Sequence, residues 1–316
     1  MKKKIIFIVI DGLGDRPIKA LNNKTPLEAA KTLNLDFLAK KGLCGLVFPF
    51  RFPYQKFPRS DSAHLALFGY NPKTYYLGRG PYEAAGIGMK IKKGDLIFRV
   101  NFGTVNKNLK IVDRRAGRIN NIEPLVKSLS GITIDGVKFL INNSWGHRAV
   151  LILRAKNISE KISNGDIKKI GIKALKIVPL EESKKAIFTA EVLNKFLAKS
   201  YQILNNHPLN KKREKKNLLP ANYLLIRGVG KLKKTISFKK KYKRNASCIA
   251  GGSLYKGIAK VLGMDLVKVK GADGSPNTNL KGKINAVKKA LKKYNFVFLH
   301  IKAADNLAED GKFKKK

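Results

Sequence analysis

Ile5-Ile6-Phe7-Ile8-Val9-Ile10-Asp11-Gly12-Leu13-Gly14-Asp15 is the stretch that decides the architecture. Six apolar residues closed by an Asp-Gly turn read as a buried strand. The turn sets Asp11 at the carboxyl end of that strand, where open α/β sheets bind their ligands. Thr25-Pro26-Leu27-Glu28 then supplies a cap, a proline for the first helical position and a glutamate soon after, so a helix begins there. Farther along, residues 222–226, 247–250 and 296–301 read as core strands, and 251–264 and 281–293 as helices between them. This alternation is the rhythm of βαβ units around a parallel sheet. Between about residues 90 and 178 the pattern becomes β-rich, with short runs at 96–101, 110–112, 138–141 and 149–154. The expected fold is α/β, a mainly parallel sheet core over 1–89 and 179–316 with a smaller α+β domain inserted at 90–178.

A chain of 316 residues with 44% hydrophobic content can bury one large core or two medium ones. Its 66 Lys+Arg against 21 Asp+Glu give a net charge of +45. Such a balance ordinarily points to nucleic acid or an anionic membrane. Here the excess is mostly lysine, scattered and in runs such as 211–216 and 312–316, and no nucleic-acid-binding motif accompanies it. It reads as solvated surface with room for non-specific polyanion binding. Cys44 and Cys248 lie far apart and outside any CxxC pattern, which speaks against a disulfide framework and for a reducing compartment. The apolar run after Lys2-Lys3-Lys4 is too short for a signal peptide, and no stretch reaches the ~18 apolar residues of a membrane span. The expectation is a soluble cytoplasmic protein that does not engage membranes.

Three places carry candidate chemistry. Asp11, placed after a buried strand, needs a partner for its charge; a divalent cation would serve, and so would an ordinary turn. Ser60, in Arg59-Ser60-Asp61-Ser62-Ala63-His64, stands where a helix would begin, so its oxygen would meet free amides and the positive dipole end. Taken alone, it reads more simply as an ordinary helix N-cap. His64 by itself is more simply structural. Asp305 and Glu309, four apart after the strand at 296–301, would share one helix face, either to hold a metal or as a solvated acidic face. The glycine-rich stretches 78–83 and 228–231 fit neither the P-loop nor the dinucleotide spacing. Arginine, otherwise sparse, gathers at Arg79, Arg99, Arg114, Arg115, Arg118, Arg148 and Arg154. Guanidinium forks match carboxylate and phosphate oxygens, so the insert could clamp a small, doubly anionic substrate.

Taken together, IIFIVIDGLGDRP, SDSAHLALFGYNP, YYLGRGPYEAAGIGM, GDLIFRVNFGTV, VDRRAGRI, HRAVLIL, LPANYLLIRGVGK and IKAADNLAEDG run in order across nearly the whole chain. The sequence thereby resembles the archaeal-type cofactor-independent phosphoglycerate mutases of the alkaline phosphatase superfamily. That resemblance implies a phosphatase-like core split by an inserted domain. It also implies interconversion of 3-phosphoglycerate and 2-phosphoglycerate through a phosphoserine at Ser60. Two divalent ions, Mn2+ or Mg2+ and less readily Co2+ or Zn2+, would serve in place of 2,3-bisphosphoglycerate. Asp11 and Ser60 would lie at one ion and Asp305 at the other, with Glu309 standing where the family has histidine. Arg99, Asn101, Asp113, Arg114, His147 and Arg148 fall among the substrate-handling motifs. The family's remaining ligands, an Asp-His pair and a further histidine, come after the point matching Lys316. The expectations that follow are an incomplete metal centre with weak activity, an interrupted or divided gene, and a separate C-terminal segment as partner. The rival readings are a metal-dependent phosphohydrolase of the same superfamily and a non-catalytic polybasic binding protein on a decayed enzyme fold.

Overall fold

The structure, a computed structural model, describes residues 3–49 and 59–316; Lys2 of the basic opening lies outside them. The chain opens with strand β1 (Ile5–Ile10), then α1 (Pro26–Ala29), α2 (Leu33–Lys41), α3 (Ser60–Leu67), α4 (Pro72–Tyr75) and α5 (Arg79–Gly86). An antiparallel stretch follows: β2 (Leu96–Val105), β3 (Ile111–Asp113), α6 (Glu123–Leu129), β4 (Thr133–Ile134), β5 (Val137–Trp145) and β6 (Arg148–Arg154). After α7 (Lys184–Asn206), α8 (Pro208–Lys215) and β7 (Tyr223–Gly230), the rhythm turns to α/β. It runs through α9 (Phe238–Tyr242), β8 (Ala246–Ile249), α10 (Ser253–Val261), β9 (Asp265–Leu266), α11 (Leu280–Lys293), β10 (Phe296–Ile301) and α12 (Ala303–Glu309). No helix among the described residues is long and apolar enough to cross a membrane.

The chain divides into two compact units. The first joins residues 1–76 to 235–316, and the second is the insert 77–234. The first unit holds a four-stranded sheet in the order β1-β10-β8-β9, with parallel pairing throughout. Ile5 pairs with Phe296 and Ile10 with Ile301, so β1 and β10 end side by side, and the Asp11 amide donates to the Ile301 carbonyl at 2.8 Å. β10 is interior, and β1 is the edge, with Ile6 and Ile8 exposed. The helix start at Thr25 is a full capping box: the Thr25 hydroxyl accepts from the Glu28 amide at 3.2 Å and the Thr25 amide donates to Glu28 at 2.7 Å. That helix is a single turn.

In the second unit the antiparallel sheet runs β4-β5-β6-β2, and both β7 and β3 also pair with β2. β2 is buried along its whole length, as befits a central strand with neighbours on both edges. The 23-residue α7 starts at Ser183, whose side chain accepts from the Ala186 amide, and buries Ala186, Ala190, Leu193, Phe196, Leu197 and Leu204 at helical spacing. Phe196 stacks on Phe139 of β5 with centroids 4.0 Å apart, inside a core shared by α6, α7 and the sheet.

This unit is wider than the 90–178 insert expected from sequence. The run at 222–226, assigned there to the parallel core, is β7, and it completes the antiparallel sheet by pairing Arg227 with Arg99 and Leu225 with Asn101. The reason is physical. A short apolar strand satisfies its backbone in either kind of sheet, and only the non-local ladder decides which one it joins.

Candidate active site

Within the first unit the register of β1 against β10 brings Asp11 and Lys302 together at the strands' carboxyl ends. Asp11 Oδ2 accepts from Tyr255 Oη at 2.6 Å and from Lys302 Nζ at 3.2 Å. The same ammonium group donates to Asp305 Oδ2, so one lysine bridges two carboxylates from different elements. Gly12 makes the approach possible. At φ +76° it occupies left-handed backbone, and a Cβ there would stand 2.4 Å from the Asp305 Cα. Gly12→Ala should therefore push α12 away from β1 and lower stability by about 3 kcal/mol; urea unfolding measures it, and an unchanged midpoint would contradict this packing.

Two buried histidines line this cluster. His300, at β10, is fully buried and stacks on Tyr255 at 3.5 Å, with its Nε2 3.7 Å from Asp11, beyond a hydrogen bond. His64, 5.3 Å away ring to ring, donates from Nδ1 to the Ser60 carbonyl at 2.7 Å. Burial is the first cause that pushes both imidazoles below their ordinary range, so both are neutral at physiological pH. Ser60 opens α3 as its first helical residue; the N-cap is Arg59, whose side chain makes no capping bond.

The metal assignment meets a shortfall. Asp11 and Asp305 are hard oxygen donors converging on one cation, as a divalent ion requires. Yet among the described residues no three His, Cys, Asp or Glu side chains are grouped to hold a metal, and the cation between the carboxylates is Lys302. Glu309 ends α12 on the exposed surface, so it does not complete such a set. The four residues Asp11, Ser60, Asp305 and Glu309 thus do not by themselves fit a closed divalent-ion site.

The second unit carries a different constellation. In the ladder Arg99 lies opposite Arg227, and Asn101 opposite Arg148, so these four side chains share one sheet face. Arg79, at the start of α5, comes to the same place, because Gly228 leaves room for it: a Cβ on Gly228 would stand 2.9 Å from Arg79 Cβ. Two buried acids hold the guanidinium groups. Glu83 lies 3.2 Å from Arg79 Nε and 3.6 Å from Arg99 Nη1. Asp166 takes a bidentate pair from Arg114, at 3.0 and 2.7 Å, and lies 3.3 Å from Arg227 Nε. Glu83 and Asp166 thus stand among Arg79, Arg99, Arg114, Arg148 and Arg227, a cluster whose named guanidinium groups outnumber these two acids in a largely buried place.

That imbalance shows in the side chains themselves. Burial pushes Arg99 well below the ordinary arginine range, and Arg79 adds to the effect while Glu83 opposes it. Arg99 Nε and Asn101 Oδ1 are buried without a hydrogen-bond partner. Arg227 is brought down by burial to about 10, with Asp166 opposing, so it stays charged at neutral pH. His147 is pushed down to about 3, first by burial and then by Arg148, Arg115, Arg99 and Arg118, and is therefore neutral.

Of the expected substrate ligands, one is occupied by its own turn and another is paired through one edge of its guanidinium group. Asp113 Oδ1 accepts from the amides of Arg115 at 2.7 Å and Gly117 at 3.1 Å, clasping its own turn. Arg114 is held by Asp166. Arg227, Glu83, Asp166, Lys302 and Tyr255 join these sites without a signal of their own in the sequence. Arg227 carries a signal only once β7 is aligned with β2.

Comparison with known proteins places the chain in a family. Residues 39–210 match the family model for 2,3-bisphosphoglycerate-independent phosphoglycerate mutase. The 2,3-bisphosphoglycerate-independent phosphoglycerate mutase 1 of Methanocaldococcus jannaschii is 47% identical over 321 residues, covering 100% of this chain and 77% of that protein. The chain belongs to this mutase family. The corresponding Archaeoglobus fulgidus protein is 44% identical, over 99% of this chain and 76% of its own length. Among solved structures, the cofactor-independent phosphoglycerate mutase of Thermoplasma acidophilum superposes with a TM-score of 0.61 at 38% identity, covering 99% of this chain and 81% of that one. A Pyrococcus horikoshii protein gives a TM-score of 0.79 at 34% identity, over 99% and 74%. Membership in a family of isomerases favours the mutase reading over the phosphohydrolase and the polybasic binding protein.

Proposed function

We propose that this chain interconverts 3-phosphoglycerate and 2-phosphoglycerate, a step of glycolysis and gluconeogenesis, with Ser60 carrying the phosphoryl group. The observation that supports it best is the arginine cluster on β2, β6 and β7, whose positive charge exceeds that of its two acids. A phosphoglycerate brings a carboxylate and a phosphate, the two anions that planar guanidinium forks bind. Ser60 Oγ would attack phosphorus as the phosphorus–oxygen bond to glycerate breaks, its proton passing to the departing alkoxide. The other glycerate hydroxyl then attacks the phosphoserine, and the proton returns to Ser60. Free amides in the first turn of α3 favour negative charge at that oxygen. The arginines hold glycerate meanwhile, because its escape to water would turn a mutase into a phosphatase.

The two divalent ions implied by the resemblance would neutralise phosphoryl oxygens. Asp11 and Asp305 can serve such ions only with ligands from outside the described residues and with Lys302 displaced. The decisive experiment supplies 3-phosphoglycerate to the purified chain with Mn2+, Mg2+, Co2+ or Zn2+ and follows phosphorus NMR. Appearance of 2-phosphoglycerate supports the reading; inorganic phosphate without it identifies a hydrolase. Arg148→Ala should raise KM roughly tenfold or more without altering metal content measured by elemental analysis. Metal loss in that variant would put Arg148 in the wrong role.

A further inference from the structure

We infer that Asp166 is a positioning residue for the substrate anion: its carboxylate hydrogen-bonds the Nε edge of Arg114, sets its negative charge beside Arg227, and leaves the outer N–H groups of both to the ligand. This rests on the reading of the arginine cluster as the phosphoglycerate site. Asp166 is itself immobile. Its own amide and that of Gly165 both donate to the Ile226 carbonyl at 3.0 Å, and Oδ1 accepts from the Lys168 amide at 2.9 Å. Beside it, Asn164 Oδ1 accepts from the Gly228 amide at 2.9 Å, so the turn is tied to β7 on both sides of Arg227.

The carboxylate is nearly fully buried; it hydrogen-bonds Arg114 and the Lys168 amide, and Arg227 Nε stands beside it as an ion pair at 3.3 Å without a hydrogen bond. Oδ1 meets Arg114 Nε and Oδ2 meets Arg114 Nη2, and Oδ2 also lies beside Arg227 Nε. Arg114 Nη1 and the Nη groups of Arg227 have no partner in the protein among the described residues. Pairing along the Nε edge leaves Arg114 Nη1 and the Nη groups of Arg227 available. Without the acid, Arg227 would face Arg79, Arg114 and Arg148 with no countercharge beside it, and mutual repulsion would spread the forks.

The test uses the full chain and 3-phosphoglycerate. Asp166→Asn, isosteric but uncharged, should weaken calorimetric affinity and raise KM roughly tenfold while kcat changes by less than about threefold. In an Arg114→Ala, Arg227→Ala background the same substitution should add less than about twofold, because the acid acts through those residues. If the asparagine variant does not fold, Asp166→Glu, which keeps the charge but shifts it by one methylene, is measured by the same split. Unchanged affinity in the Asp166 variant, while Arg114→Ala and Arg227→Ala each lose affinity, overturns the inference and spares the anion site. An effect of full size persisting in the double-alanine background also overturns it. Arginine variants that bind 3-phosphoglycerate normally overturn the anion site, and this inference with it.

Discussion

Ser60→Ala should remove the proposed phosphoryl transfer, lowering turnover on the order of 10^4-fold or more, while the thermal midpoint should stay within a degree or two of the parent. The expectation of intact stability comes from the helix start. Capping by Ser60 would make alanine costly, but the N-cap is Arg59 and Ser60 is the first helical residue. Its hydroxyl has no hydrogen-bond partner among the described residues, and its carbonyl, which holds His64, survives the substitution. The alanine variant thus loses a hydroxyl that neither caps the helix nor holds another described residue. Mass spectrometry of the parent after brief exposure to 3-phosphoglycerate should find phosphate on the peptide containing residue 60. Turnover persisting in the alanine variant at more than a few per cent would remove Ser60 from the reaction.

How much of this was legible in the sequence depended on whether the deciding interactions were local. The strand at 296–301 is found with the bounds expected, and Asp11 stands at the end of β1, because apolar runs closed by polar turns carry their own boundaries. The capping box at Thr25 was readable for the same reason. Arg99 and Asn101 could be recognised as candidates, but their partners could not. Arg227 reaches Arg99 across a ladder joining residues 128 positions apart, and Asp166 reaches Arg114 across 52. No periodicity encodes such pairings. At Asp305 and Glu309 the spacing left two readings open: the two do share α12, with Asp305 turned to Lys302 and Glu309 exposed at the helix end. A lysine three residues before an aspartate reads in sequence as one more element of a basic surface, and only the register of β1 against β10 sets it between two carboxylates.

Acid should destabilise the protein through His147, and the size of the effect follows from its surroundings. The imidazole sits buried just ahead of Arg148, with Arg115, Arg99 and Arg118 also acting on it, and its pKa falls from 6.5 to about 3. A proton therefore binds the unfolded chain more readily than the folded one throughout the interval between those values. Stability from this residue is complete above about pH 6.5, declines as the pH falls, and is wholly lost below about pH 3. Between pH 7 and pH 4 the loss is roughly 3 kcal/mol, a large share of the stability of an ordinary domain. His147→Gln keeps a polar side chain of similar size and removes the titration. Its stability at pH 7 can be lower, but its decline towards pH 4 should be shallower than that of the parent by about the same 3 kcal/mol. Urea unfolding at half-unit pH steps measures both curves, and the comparison cancels the contributions of His64, His207 and His300, which the variant retains. Parallel curves would mean that His147 takes up its proton in the folded protein near the ordinary pH. The arginine cluster around it would then have to be more open to solvent, or already paired with anions, than its burial indicates.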